Sequence, residues 1–334
     1  MALKVGINGF GRIGRMVLRS VIENNRKDLE IVAINNRGNS EVSSFLLKHD
    51  TIHGKLKAKI SHSEKLIEIN GKKISMTHET EISKIHWKKH KVDVVLECTG
   101  KFNTKEKSAQ HIKSGAKKVL VSAPCKGAIN IIFGVNEKTL KNNDQVISAA
   151  SCTTNCLAPV AKVINDNFGI EAGFMTTIHS YTTDQKLLDN SHKDLRRARS
   201  APNSIIPTTT GATKSLGDVI PELKGKVEGI SIRVPTPNVS LVEFVFSSKK
   251  NVSVEEINNS LSKASKSVLK NILDTSNEQL VSSYFNHNPH SSIIDLSLTK
   301  VADGKMAKVS AWYDNEWGFA NRMCDLAAYL GNLK

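Results

Sequence analysis

The sequence predicts an α/β protein of two domains, and three observations carry that prediction. Its 334 residues exceed the roughly 250–300 at which a single hydrophobic core stops growing. The first half alternates short apolar runs with stretches of helical periodicity, as a parallel sheet with crossover helices requires. After Ala150 the pattern changes to longer apolar-alternating runs, which suit an antiparallel sheet. Composition agrees: 39% hydrophobic and 24% charged residues is ordinary globular usage, and 20 Gly with 8 Pro is too few for a fibrous or low-complexity chain.

Residues 3–8 read as a buried strand. Beyond Arg12, the positions Ile13, Val17, Val21 and Ile22 keep near-helical spacing up to the polar pair Asn24-Asn25, and 30–35 is a second strand. This β-loop-α-β order within about 35 residues forces a right-handed crossover and a parallel pair. Further parallel-type runs lie at 92–96, 118–121 and 131–135, with a helix at 105–114 between the first two. In 65–76, apolar Leu66, Ile67 and Ile69 are followed by Asn70-Gly71 and then Ile74 and Met76. That is a hairpin decorating the sheet, with a two-residue turn that needs φ > 0 at both central positions. The second half opens with a helix at 153–167, followed by strands at 173–178, 227–234, 241–247 and 308–312. The stretch 181–210 contains a basic segment at 193–199 and a Pro- and Thr-rich end, and reads as a long ordered loop of the kind that carries function.

Charge narrows the partners. The 47 Lys+Arg exceed the 32 Asp+Glu by 15, which favours nucleic acid, an acidic membrane surface or phosphorylated small molecules. No apolar run approaches the roughly 18–20 residues that span a bilayer, and the N-terminus opens on a strand pattern instead of a secretion signal. The expectation is a soluble cytoplasmic protein with no membrane partner. Five cysteines, odd in number and without a C-x-x-C pair, suggest neither a disulfide framework nor a metal site.

Gly9-x-Gly11-x-x-Gly14 follows the first strand directly and opens the first helix, the context that marks a Rossmann-type dinucleotide-binding domain. The first Gly permits the tight turn, the second lets backbone approach a pyrophosphate, and the third lets the helix pack closely. The acidic residue that bonds the adenosine ribose 2′-OH in NAD-binding versions is missing from the end of the second strand, which reads Asn35-Asn36-Arg37-Gly38. No carboxylate repels a 2′-phosphate there and a guanidinium is available to pair with one, so both NAD and NADP stay open; the alternative is that Arg37 is a solvated turn residue.

Ser151-Cys152-Thr153-Thr154-Asn155-Cys156 lies where a strand-like run, 145–150, gives way to a helix. A thiol at a helix N-terminus has its thiolate favoured, which singles out Cys152; Cys156, one turn deeper, should be more buried and less reactive. His179 ends a strand and begins the long loop. A Cys with a distant His is an acyl-transfer pair in outline, although eleven histidines in the chain leave the pairing open.

These blocks resemble the phosphorylating glyceraldehyde-3-phosphate dehydrogenases, and the resemblance runs end to end. It includes 7–15, 150–159, His179-Ser180-Tyr181-Thr182 with Asp184-Gln185, 192–199, 205–211, Arg233-Val234-Pro235-Thr236-Pro237-Asn238 and 312–316. The resemblance implies an NAD(P)-dependent enzyme of glycolysis or gluconeogenesis, with an α+β catalytic domain built on a mostly antiparallel sheet. It would convert glyceraldehyde 3-phosphate and inorganic phosphate reversibly to 1,3-bisphosphoglycerate. Cys152 would attack the aldehyde, His179 would take the proton, and phosphate would cleave the resulting thioester. Two anion sites are implied, Thr182 and Arg233 for the substrate phosphate, and Ser151, Thr153, Thr210 and Gly211 for the attacking one. The implied cofactor residues are Asn8, Gly9, Gly11, Arg12, Ile13, Asn36, Arg37, Thr99, Ser122, Ser191 and Asn315, the last bonding the nicotinamide carboxamide.

Asn36 departs from the family's acidic residue. Asn190-Ser191 stands where NAD-specific relatives usually carry Leu-Pro, and in the tetrameric family this loop approaches a neighbouring subunit's adenosine ribose, so Ser191 points to NADP as well. Phe319 replaces a Tyr found in many relatives. The expected division is 1–151 with 317–334 as the dinucleotide-binding domain and 152–316 as the catalytic domain, in a homotetramer. Two rivals remain: an erythrose-4-phosphate dehydrogenase, which would carry a different sequence at 208–212, and a basic nucleic-acid-binding protein, disfavoured because no binding motif accompanies the charge.

Overall fold

A computed structural model describes residues 2–333, and its first elements form the parallel unit. Strand β1 (Leu3–Asn8) buries its last four residues and runs parallel to β2 (Leu29–Asn35), with Asn8 opposite Asn35. Helix α1 (Arg12–Glu23) joins them. Helix α2 (Ser40–Lys48) is capped by the Asn39 side chain, which accepts the Val42 N–H, and β3 (His49–Asp50) with β4 (Gly54–Lys55) forms a separate small hairpin. Then β5 (Ile60–Ser63), β6 (Leu66–Ile69) and β7 (Lys72–Thr77) make an antiparallel meander. Asn70 at φ 50° and Gly71 at φ 82° give the β6–β7 turn its two positive φ angles, as the Asn-Gly pair requires. The hairpin does more than decorate, because β7 pairs parallel with β2 and carries the meander into the main sheet.

Strand β8 (Val94–Glu97) flanks β1 on its other side. The single helix expected at 105–114 is two short ones, α3 (Lys105–Ser108) and α4 (Gln110–Lys113), meeting at Ala109. Next come β9 (Lys118–Val121), β10 (Ile129–Asn130) and β11 (Val146–Ser148), and the nine-stranded order is β10-β11-β9-β8-β1-β2-β7-β6-β5. The strand expected at 131–135 is absent. Ile131 and Ile132 are fully buried, but the backbone leaves the ladder there and Gly134 turns to φ 85°; an apolar run reports burial, which a loop under a core satisfies as well as a strand. This unit comprises 2–133, 137–150 and 320–333. The C-terminal helix (Trp317–Asn332) docks its later residues within it: Ser20 Oγ donates to Asn321 Oδ1 at 2.9 Å and Arg26 pairs with Asp325.

The second unit, 134–136 and 151–319, opens with α5 (Cys152–Phe168), followed by β12 (Ile170–Ser180). After an irregular stretch come β13 (Ile206–Thr209), α6 (Ala212–Val219), β14 (Val227–Val234) and β15 (Ser240–Ser248). Helix α7 (Val254–Lys266), β16 (Leu273–Ser276), β17 (Ser292–Asp295), β18 (Lys300–Ala302) and β19 (Met306–Tyr313) complete it. The order is β13-β14-β12-β15-β19-β17-β16 with β18 on β19, mostly antiparallel, but β12 is parallel to β14 and β16 to β17. The β12–β14 pairing is the one that matters for the site, since it sets His179 opposite Arg233.

Candidate active site

Cys152 is the first residue of α5. Ser151 caps that helix: its Oγ accepts the Thr154 N–H at 3.1 Å and shares a hydrogen bond with the Thr154 hydroxyl at 2.8 Å. Such a cap is worth about 1 kcal/mol, and here it also fixes where the thiol stands. Cys156 is completely buried, and burial pushes its thiol well up. The expectation that the helix terminus depresses the Cys152 pKa is not met in the free protein. Burial raises that thiol, and the opposing pull of the Arg233 guanidinium and of the Thr153 hydroxyl and N–H does not outweigh it.

His179, on β12, puts Nε2 at 3.4 Å from Cys152 Sγ. Its Nδ1 lies 2.6 Å from the Ser180 carbonyl oxygen, which can only accept. A proton on Nδ1 therefore leaves an Nε2 lone pair facing the thiol. Arg233 NH1, which can only donate, gives its hydrogen to the Ser180 carbonyl at 3.0 Å; with the proton on Nδ1, its 2.8 Å approach to that nitrogen is a close contact and not a hydrogen bond. Burial and then the Arg233 charge hold the imidazole down to about pH 3, so it is neutral at physiological pH. Tyr313, absent from the sequence-based candidates, backs the pair: its ring meets His179 edge-on with centroids 5.9 Å apart, and its hydroxyl bonds Thr153 at 2.9 Å and Thr177 at 2.8 Å.

The other expected anion ligands divide by what their polar atoms already do. The hydroxyls of Ser151 and Thr153 are engaged with Thr154 and Tyr313. Thr182 lies exposed in the turn after β12, Thr210 accepts the Ala212 N–H, and Gly211 starts α6 with no side-chain cap. Arg233 Nε is buried without a partner among the described residues, an orphan donor of the kind that awaits an anion. Ser180 and Ser240 hydroxyls donate to Asn315 Oδ1 at 2.8 and 2.9 Å, so the Asn315 amide hydrogens remain for a ligand. Arg197, which lies in the basic segment 193–199, was missed as well: it pairs with Asp184 at 2.7 Å and bonds Thr208 at 3.0 Å, and its charge reaches His179. No local motif distinguishes Arg197 from its basic neighbours. Ser191 is exposed, its N–H bonded to Asn190 Oδ1.

In the first unit a cavity of about 530 Å³ opens over the glycine turn, and Asn8, Gly9, Gly11, Asn36, Arg37 and Thr99 all line it. Arg12, Ile13 and Ser122 do not. Arg12 pairs with Asp50, whose carboxyl is driven up by burial but held down to about 2 by the guanidinium and the His53 and Ile52 N–H groups. Each glycine does what the motif asks. Gly9 sits at φ 93°, a Cβ on Gly11 would meet open space, and a Cβ on Gly14 would stand 2.2 Å from the Gly9 carbonyl oxygen. Helix α1 begins with no side-chain cap, so its first N–H groups remain for an anion. The groove thus fits a dinucleotide. Arg37 is exposed at its edge with no ion pair among the described residues. Among the described residues no group of His, Cys, Asp and Glu is placed to hold a metal ion, and no helix is long and apolar enough to cross a membrane.

Comparison with known proteins matches this arrangement. The model of the glyceraldehyde 3-phosphate dehydrogenase NAD binding domain matches residues 3–105, and that of the C-terminal domain matches 151–315. Glyceraldehyde-3-phosphate dehydrogenases of Cereibacter sphaeroides and Xanthobacter flavus are 52% and 51% identical over the whole of both chains. That of Geobacillus stearothermophilus is 52% identical over 99% of each. With both domain models matched in order and half of all positions identical along the full length, the chain belongs to the glyceraldehyde-3-phosphate dehydrogenase family.

Proposed function

We propose that the protein catalyses the reversible oxidative phosphorylation of glyceraldehyde 3-phosphate to 1,3-bisphosphoglycerate through a thioester on Cys152. The observation that carries this reading is the Cys152–His179 pair at 3.4 Å, at the start of α5 and beside Arg233. His179 Nε2 takes the thiol proton as sulfur bonds the aldehyde carbon, and returns it to the former carbonyl oxygen, which becomes the hemithioacetal hydroxyl. NAD, when bound, supplies the hydride acceptor. As the hemithioacetal carbon loses hydride, His179 takes the hydroxyl proton and the carbon becomes a thioester. Inorganic phosphate then adds to that carbon, the C–S bond breaks and the acyl phosphate leaves. Substrate phosphate is held by Arg233, whose Nε has no partner among the described residues, with Thr182. For the attacking phosphate, the N–H groups at the starts of α5 and α6 support Ser151, Thr153, Thr210 and Gly211 as its site, with backbone donors favoured because the Ser151 and Thr153 hydroxyls are engaged. Asn315 orients the nicotinamide carboxamide.

NADP serves alongside NAD in this reading, supported by Asn36 in place of a carboxylate, the unpaired Arg37 and the exposed Ser191. Arg12, Ile13 and Ser122 keep their places as cofactor residues on resemblance alone. The division of labour follows 1–151 with 317–334 for the dinucleotide and 152–316 for catalysis, in a cytoplasmic homotetramer. One assay tests the chemistry and the cofactor together. Formation of NADH or NADPH from glyceraldehyde 3-phosphate is expected only with phosphate or arsenate present, and with kcat/KM for NADP at least comparable with that for NAD. Turnover without either anion would overturn the phosphorylating mechanism, and a large preference for NAD would remove NADP.

A further inference from the structure

Beneath the dinucleotide groove runs a line of buried polar side chains that the chemistry does not use. Glu97, at the end of β8, is 1% exposed and its carboxylate accepts four hydrogen bonds. Its Oε1 takes the Thr99 N–H at 2.8 Å and the Thr99 hydroxyl, and its Oε2 takes Asn8 Nδ2 at 2.6 Å and His111 Nε2 at 2.9 Å. Trp87 Nε1 donates to His111 Nδ1 at 2.9 Å, which leaves Nε2 as the protonated nitrogen and hence the donor to Glu97. The line continues in the other direction. Asn35 Nδ2 donates to Asn8 Oδ1 at 2.8 Å, while Asn35 Oδ1 takes the Glu79 N–H at 2.9 Å and the Thr77 hydroxyl at 2.8 Å.

The two ends of this line are opposite parts of one cavity: Thr99 and Glu79 both border the groove. The Thr99 end also sets the glycine turn, because a Cβ on Gly9 would lie 2.7 Å from Thr99 N. A carboxylate has acceptor capacity for all four donors, and a carboxamide does not. Burying a charge in a core is costly unless it is fully hydrogen-bonded, and no catalytic step calls on this one. An apolar residue would serve a merely structural core at lower cost.

We propose that Glu97 is a positioning residue for the dinucleotide. Through Thr99 on one side and through Asn8, Asn35 and Glu79 on the other, it holds both walls of the groove at the separation the ligand needs before the ligand arrives. Asn8 acts from below, since both ends of its side chain are committed to Glu97 and Asn35. The inference rests on the groove being the NAD site, which titration of the unmodified protein with NAD tests by itself.

Glu97→Gln in the full-length protein turns a donor toward other donors. The dissociation constant for NAD, measured by calorimetry, should rise roughly ten- to a hundredfold. AMP, which probes the adenosine half alone, should weaken as well, because the line reaches Glu79. The alkylation rate of Cys152 by iodoacetamide without dinucleotide, a report on the second unit, should stay within about twofold. An unchanged NAD constant overturns the proposal even if Tm falls, and so does an alkylation rate that changes in parallel with NAD binding. Should Glu97→Gln fail to fold, His111→Phe decides: it removes one donor to Glu97 from a side chain that does not line the groove. A several-fold weaker NAD constant supports the positioning role and an unchanged one refutes it.

Discussion

At the scale of single residues, His179 is held as a neutral base at a cost that depends on pH. Its imidazole is desolvated and sits against the Arg233 guanidinium, which together bring it to about 3, against an unfolded value near 6.5. Between those two values the unfolded chain binds a proton that the folded chain does not. Stability therefore rises with pH in that window, is fully present above about 6.5, and is lost as pH falls toward 3, at up to about 1.4 kcal/mol per pH unit from this group. Denaturation midpoints of the parent and of His179→Gln between pH 8 and pH 4 should diverge, with the parent losing stability faster below about 6.5. Parallel curves would show that the ring is not held neutral. In the same variant kcat should fall by roughly 10²–10⁴, the usual contribution of a positioned acid–base group. In the first unit, the Cys324 thiol is pushed up to about 12 by burial and by Asp325, against the pull of Arg26.

At the scale of elements, the β1-turn-α1 unit is held by a contact that only glycine permits. A methyl group at Gly14 would raise intrinsic helix propensity by about 1 kcal/mol. It would also stand 2.2 Å from the Gly9 carbonyl oxygen, and overpacking of that kind costs about 1–3 kcal/mol when backbone has to move. Packing wins, so Gly14→Ala should lower Tm and weaken NAD binding together; an unchanged or higher Tm would show that the helix can shift to make room. This turn, and the Asn70-Gly71 hairpin, were legible in the sequence because their determinants are neighbours in the chain. The pieces that were not legible depend on partners far away. The short strand β10 completes the sheet just before the apolar loop that begins at Ile131, and β12 pairs parallel with β14 across almost fifty intervening residues. Glu97, His111 and Tyr313 had no local signature, since each is defined by partners distant in sequence. Cys152 and His179 were found one by one; their 3.4 Å separation needed the fold.

At the scale of the whole molecule, the excess of 15 positive charges is less available to a polyanion than the basic segment 193–199 suggests. Arg197 is paired with Asp184 and Arg199 with Asp189. One surface feature that the chain leaves uncovered is apolar. On the second unit's sheet Phe174 stands opposite Val245, and Ile230 lies opposite Thr176, two residues along the same strand face. Phe174 is 70% exposed and Ile230 50%. Burying such side chains is worth about 1.5–3 kcal/mol each, and a twofold axis through the face would use every one of them twice. That names a face for one contact of the proposed homotetramer. Light scattering on a sizing column should give four times the 36.6 kDa chain mass, and Phe174→Asp should shift it to a smaller species. A parent that runs at the mass of one chain removes the tetramer. A variant that keeps the parent's mass places the contact elsewhere, on surfaces such as the exposed Leu187, Leu188 and Leu195 of the long loop.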